Sequence, residues 1–151
     1  MIDIRDATPS DAPKLAELRW EFRSSRAPNI ETREAFVERC TAWMQRELAP
    51  ASAWRAWAAE RDGVIIGQVW LQTFQKLPNP TEEAEQQAYL SNLYVTPSAR
   101  GGAGTKLLAT AVAWARAHKI DYVVLWPSAR SVTLYERHGF TQRGRAMELR
   151  I

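Results

Sequence analysis

The chain has 151 residues, enough for one domain with a single well-filled core. A formal charge of +3 is too small and too scattered to mark a nucleic-acid surface, and 46% hydrophobic with 25% charged residues is ordinary for a soluble globular protein. No apolar run approaches a membrane span, the opening lacks a signal-peptide core, and one cysteine, Cys40, excludes an internal disulfide and a cysteine-based metal cluster. A cytoplasmic protein without a bound metal is therefore expected. His118 and His138 have no partner at ligand spacing and read as surface or helix-end residues.

Ile2-Asp3-Ile4-Arg5-Asp6-Ala7 alternates and predicts a short first strand. Ser10 or Asp11 caps the next helix, in which Leu15, Leu18 and Phe22 recur at helical spacing. Residues 24–29 break that helix. Thr32 then caps a second one carrying Ala35, Phe36, Cys40, Trp43 and Met44, which ends by Ala49-Pro50. Two helices with a break between them either wall a pocket or serve as plain packing.

Asp62-Gly63 lies between two apolar stretches, 54–60 and 64–72, the pattern of a β-hairpin. Gly67 inside the second stretch signals a bulge or a close approach of another chain segment. Residues 76–87 form a long polar connection with Glu82, Glu83 and Glu85, and residues 88–95 form the next strand.

Pro97 ends that strand, because it has no N–H to give. Arg100-Gly101-Gly102-Ala103-Gly104 follows, and then a helix over residues 105–118. Taken alone, the glycine cluster is either a plain turn into a helix or an anion cradle. The cradle draws on the unpaired amides and positive dipole end of the helix, with Arg100 able to fork onto phosphate oxygens. The nucleotide-loop spacings are not met.

Leu107, Leu108, Ala111, Val112, Trp114 and Ala115 give the helix a broad apolar face for a sheet. Residues 122–126, almost wholly apolar, predict a buried parallel strand. Ser128 or Ser131 starts a last helix that Gly139 stops, and the alternation of Met147, Leu149 and Ile151 predicts a terminal strand within 141–151. The sum is an α/β domain with a mixed, mostly antiparallel sheet and about four helices.

Asn92-Leu93-Tyr94-Val95-Thr96-Pro97, then Arg100-Gly101-Gly102-Ala103-Gly104 and Leu107-Leu108, and later Leu134-Tyr135-Glu136-Arg137-His138-Gly139-Phe140, resemble the GCN5-related N-acetyltransferase (GNAT) family. The opening Ile4-Arg5-Asp6-Ala7-Thr8-Pro9-Ser10-Asp11 is similar too, so the likeness runs the whole length, residues 1–151, as one domain. It implies a sheet with a splayed parallel strand pair, acetyl-coenzyme A (acetyl-CoA) as donor, and acetyl transfer to an amine. The pantetheine arm would bond the strand of Leu93, Tyr94 and Val95 like an added strand, and the pyrophosphate would meet Gly101, Gly102, Ala103, Gly104 and Thr105 with Arg100 beside it. Ser128 and Ser131 supply hydroxyls for the cofactor arm, and a backbone N–H near Leu93 or Tyr94 would polarise the thioester carbonyl. Tyr135 matches the residue that protonates the departing thiolate; its phenol, with an intrinsic pKa of about 10, suits that task. Two features depart from the family pattern. The glycine loop is one residue shorter than usual, and Ser128 stands where many members have Asn.

Glu83 and Glu85 are candidates for the general base that deprotonates the amine, or else a solvated acidic run; Ser91 and Asn92 are an alternative, holding a relay water. Trp70, Tyr89 and Trp126 are candidates for an acceptor pocket, although most large aromatics are core. The expected acceptor is a primary amine of a small molecule or peptide. The alternatives are a protein N-terminal or lysine acetyltransferase and, from another class, a non-catalytic CoA-binding sensor or interaction module. Homodimers are common in proteins of this kind, so a dimer is a further expectation.

Overall fold

A computed structural model describes residues 1–99 and 101–151. Arg100, the expected phosphate partner, lies outside the described residues. The elements in chain order are β1 (Asp3–Asp6), α1 (Ala12–Arg23), α2 (Arg33–Glu47), β2 (Trp54–Arg61), β3 (Val64–Gln75), β4 (Gln86–Val95), α3 (Ala103–Ala117), β5 (Tyr122–Val124) and α4 (Val132–Arg137). The strands form one sheet in sequence order, antiparallel from β1 to β4 and parallel between β4 and β5. The expected mixed, mostly antiparallel sheet with about four helices is what the described residues adopt.

Two apolar clusters, one on each face, hold the layers together. On one face α1 and α2 bring Leu15, Leu18 and Met44 onto Ala56, Ala58, Ile65 and Trp70. On the other, α3 lays Leu107, Leu108, Ala111 and Ala115 onto Val69, Leu71, Ala88 and Leu90. Leu15, Leu18, Leu107 and Leu108 are fully buried, each contributing about 1.5–3 kcal/mol over an exposed leucine. Alternation along β3 explains the two-sided sheet: Val69 and Leu71 serve the α3 face, while Gln68 and Trp70 serve the other.

The helix starts follow local chemistry. Thr32 caps α2, its hydroxyl accepting from the Ala35 N–H at 3.2 Å. At the first strand's exit, Asp11 Oδ2 accepts from the Thr8 N–H at 2.7 Å and from Arg5 Nη1 at 2.8 Å. This fixes the angle at which α1 leaves β1. α3 begins at Ala103, two residues before the expected start, so the glycine turn runs directly into its first turn.

Residues 141–151 form no strand, contrary to the sequence-based expectation. Met147, Leu149 and Ile151 stand exposed, so alternation gave the segment a possible face but no partner to bury it. A strand is stabilised by cross-strand pairs, and β5, three residues long, pairs only with β4 among the described residues.

Candidate active site

The site begins with a slip in β4. Ala88 and Leu90 point to the α3 face, but so do Leu93 and Val95, so the alternation changes parity between them. Register shows why: Gln68 pairs with Tyr94 but Trp70 pairs with Ser91, leaving Asn92 and Leu93 opposite the single residue Val69. This is a β-bulge, with Asn92 in the left-handed region at φ 56°. Asparagine tolerates that conformation better than other non-glycine residues. Its side chain is held from α1, where Arg19 Nη1 donates to Asn92 Oδ1 at 3.3 Å.

β5 leaves β4 beside the bulge. The parallel pairing covers Gln87 with Tyr122, Ala88 with Val123 and Tyr89 with Val124, and then stops. Beyond it, the outer half of β4 carries backbone groups with no strand partner on that side among the described residues. The open edge, Leu90 to Val95, is an added-strand site for an extended amide-bearing chain. Leu93, Tyr94 and Val95, singled out from the sequence, all lie on it.

At the end of that edge the chain makes the glycine turn. Gly101 and Gly102 have φ of 137° and 88°, which only glycine adopts without strain. The first bond of α3 runs from the Lys106 N–H to Gly102 O at 3.0 Å, so the N–H groups of Ala103, Gly104 and Thr105 have no intrahelical partner. Among the described residues a β-carbon on Gly104 would meet nothing nearer than Val95 Cγ2 at 3.9 Å, so they leave this position open. Nη2 of Arg61 lies 3.7 Å from where a β-carbon on Gly101 would sit, which brings a cation to the turn from the end of β2. Amides with no partner among the described residues, an open backbone and a guanidinium fit a diphosphate.

Tyr135 lies on α4 and joins the cluster that contains Leu107 and is flanked by Leu93 and Val95. Its ring meets Phe140 edge-on at 5.6 Å. Only 9% of the residue is exposed, yet no buried side-chain oxygen among the described residues lacks a partner, so the unbonded phenol reaches solvent. Burial raises its pKa, keeping the phenol protonated at neutral pH. A cavity of about 660 Å³ opens between the end of β5 and α4, with Trp126, Pro127, Val132 and Tyr135 in its wall. Ser128 and Ser131 sit at the entry to α4, their hydroxyls 3.0 Å apart.

Across the sheet, α1 and α2 close a second cavity of about 260 Å³ over the bulge. Arg19, Cys40, Trp43, Trp54, Trp70, Ser91 and Asn92 line it, with Phe36, Arg39 and Met44 completing the wall. Trp70 is fixed by Gln68, whose side-chain oxygen accepts from the indole N–H at 2.8 Å while its amide donates to Leu15 O at 2.9 Å. Of the three expected pocket aromatics, Trp70 alone lines this cavity. Tyr89 and Trp126 continue from it: Trp54 contacts Trp70 at 6.1 Å and Tyr89 at 6.4 Å, and Tyr89 meets Trp126 at 5.2 Å.

Glu83 and Glu85 fold back on their own loop. Glu83 accepts from Lys76 Nζ at 3.1 Å and from the Asn79 amide, and Glu85 accepts from the Asn79 N–H at 2.7 Å. Lys76 above all holds the Glu83 carboxyl below the usual carboxylate range, which weakens it as a proton acceptor. Neither carboxylate lines the bulge cavity. Among the described residues no group of His, Cys, Asp and Glu is arranged to hold a metal, and no helix is long and apolar enough to cross a membrane.

Sequence reasoning missed Arg19, Arg61, Trp43 and Trp54. The broken alternation at Ser91-Asn92 was the legible signal for the bulge, and hence for where a cavity would open. Arg19 carried no signal of its own, since an arginine on an amphipathic helix is ordinarily solvated.

Residues 13–140 match the profile described as "Acetyltransferase (GNAT) family". No curated protein matches the chain. Among solved structures, a predicted acetyltransferase with acetyl-CoA from Clostridium acetobutylicum is 25% identical, with a TM-score of 0.80 over 99% of this chain and 96% of that one. A GCN5-related N-acetyltransferase from Ralstonia eutropha JMP134 is 23% identical, with a TM-score of 0.79 over 99% and 98%. Glucosamine-6-phosphate N-acetyltransferase from Arabidopsis thaliana is 17% identical, with a TM-score of 0.74 over 99% and 98%. The last two speak for the fold. With a bulged and splayed β4, a glycine turn feeding α3 and a family match over most of its length, the chain belongs to the GNAT acetyltransferase family.

Proposed function

We propose that the protein transfers an acetyl group from acetyl-CoA to a primary amine of a small molecule or peptide, by direct attack on the thioester. The observation that carries this reading is the run from the first-turn amides of Ala103, Gly104 and Thr105, without partners among the described residues, along the β4 edge left open by β5 to the bulge at Asn92. The amides and Arg61 receive the diphosphate, and the β4 edge pairs with the pantetheine amides. Acetyl-CoA itself supplies the activated acetyl group.

Each chemical demand then falls to a named part of the chain. The bulge breaks β4's pairing with β3, so a backbone N–H near Leu93 or Tyr94 is available to the carbonyl oxygen as negative charge develops there. As the C–N bond forms and the C–S bond breaks, Tyr135 gives its proton to the departing sulfur. Its raised pKa favours the protonated form needed for that step. The amine's proton leaves through water. Ser91 and Asn92 line the bulge cavity and hold such a water better than Glu83 or Glu85, whose oxygens are engaged by Lys76 and Asn79.

The cavity over the bulge, about 260 Å³, lies just below the ~300 Å³ at which small-molecule sites usually begin. Its size favours a compact acceptor over a protein lysine or N-terminus presented from a broad surface. The test is a screen of amines in which release of free CoA is followed with a thiol reagent. Acetyl-CoA-dependent release with at least one amine is expected. Binding of CoA with no release for any amine would instead support the non-catalytic, CoA-binding reading.

A further inference from the structure

The bulge cavity holds a cation that the acetyl-transfer reading does not use. Arg19 enters it half-buried from α1, and its one side-chain bond among the described residues is the 3.3 Å contact with Asn92 Oδ1. A guanidinium has five N–H donors, so most of its capacity is unspent. Burial lowers its pKa, and so does the nearby Arg23 cation; its other charge neighbours are a thiol, Cys40, and a phenol, Tyr89, with no carboxylate among them. Arg39, the second cation of the cavity wall, is by contrast committed to Glu31. Of the rest of the wall, Phe36, Trp43, Trp54 and Trp70 are aromatic, beside Cys40, Met44, Ser91 and Asn92.

A half-buried, uncompensated guanidinium is costly to leave without an anion. Arg19 also repels an ammonium, so an acceptor with nothing but a cationic end is disfavoured beside it. The aromatic walls select an apolar or planar body, and the small volume limits that body to one ring system.

We propose, resting on the acetyltransferase reading above, that the acceptor is an amine that also carries a carboxylate and an apolar or aromatic body, and that Arg19 binds the carboxylate. The guanidinium fork takes the two carboxylate oxygens, the body lies between Trp54, Trp70 and Trp43, and the amine faces the bulge at Asn92. Arg19 is thus a specificity-determining residue, and it turns the substrate so that the amine leads. A free amino acid and a short peptide both offer this chemistry.

The experiment compares L-tryptophan with tryptamine, which keeps the ring and the amine but lacks the carboxylate. Thiol release gives kcat/KM for each, in wild type and in Arg19→Gln. Wild type is expected to prefer L-tryptophan by about tenfold or more, the scale of a charge-assisted hydrogen-bond pair, and Arg19→Gln to lower that ratio by a similar factor. L-tryptophylglycine, with its carboxylate moved along the chain, assigns the source: preference for it points to a peptide. Equal or better turnover of tryptamine by wild type overturns the proposal, as does a ratio unmoved by Arg19→Gln in a folded variant. The wild-type ratio needs no variant to fold. Calorimetric binding of the same two compounds separates the two readings. Arg19-dependent binding of L-tryptophan with no turnover of any amine keeps this proposal and removes the enzyme. Turnover of other amines with no carboxylate preference does the reverse.

Discussion

Gly67 lies so close to Tyr94 that a β-carbon on it would sit 2.8 Å from the Tyr94 carbonyl oxygen. The neighbouring Val95 Cγ2 would be 3.0 Å away. Gly67 pairs with Val95 on one side and flanks a register shift between Ala59 and Glu60 on the other, so neither neighbouring strand moves freely. β4 depends on this contact for the position of its outer half, whose edge away from β3 carries no strand among the described residues. Gly67→Ala is expected to lower stability by about 1–3 kcal/mol, the usual cost of overpacking, measured by urea denaturation. CoA affinity should fall with it, because the displaced segment is the one that receives the pantetheine arm.

Gly104 gives the complementary case, a glycine the fold does not need. Since among the described residues a β-carbon there meets only Val95 Cγ2 at 3.9 Å, Gly104→Ala should fold normally. Gly104→Glu adds bulk and negative charge beside the free amides of α3. We expect CoA affinity by calorimetry to fall about tenfold or more, with the circular dichroism spectrum unchanged. Full affinity in Gly104→Glu would place the diphosphate elsewhere.

Tyr135→Phe keeps the ring that packs on Phe140 and removes only the proton donor. The expected result is a fall in kcat of about 100-fold or more with little change in CoA affinity. Burial raises the phenol's pKa in the folded state, so the unfolded chain gives up this proton first as pH rises. The group's contribution to stability is therefore complete below its ordinary pKa of about 10 and is lost as pH climbs through the folded value. Thermal melts above that pH should show a shallower loss in Tyr135→Phe than in wild type.

Much of the architecture could be read from residue order. The hairpin followed from Asp62-Gly63, the α2 cap from Thr32, and the β4–α3–β5 crossover from an apolar strand, a glycine turn and an amphipathic helix. Gly67 signalled its own crowding, because a glycine inside an apolar strand has few other uses. Three things did not follow. The segment 141–151 alternates like a strand, but alternation supplies only a face and says nothing of a partner edge. Glu83 and Glu85 lay near the cofactor strand in sequence, while their actual partners, Lys76 and Asn79, were set by how the loop closes on itself. The bulge cavity is assembled from α1, α2, β2, β3 and β4, and no local window reports a site drawn from five elements.

Asp11 ties the sequence of the first turn to acid stability. Its carboxyl is held at about 2, chiefly by the Arg5 guanidinium at 2.8 Å and further by the Thr8 N–H. A depressed folded pKa means that the stabilisation is complete above the ordinary carboxylate value and fades as pH falls through about 2. Asp11→Asn should lower the melting temperature near neutral pH and flatten its decline between pH 4 and 2. A melting curve with the wild-type pH dependence would show that this ion pair does not set the acid limb.

In the proposed complex the diphosphate sits on the first turn of α3 and the acetyl group is presented between the β4 bulge and Tyr135. Its most direct test is the distance from the CoA sulfur to the Tyr135 hydroxyl oxygen in a crystal structure of the complex. The expected separation is within hydrogen-bonding reach, about 3–3.5 Å, with the pyrophosphate on the amides of residues 103–105. A sulfur far from that phenol, or a pyrophosphate away from α3, would contradict it.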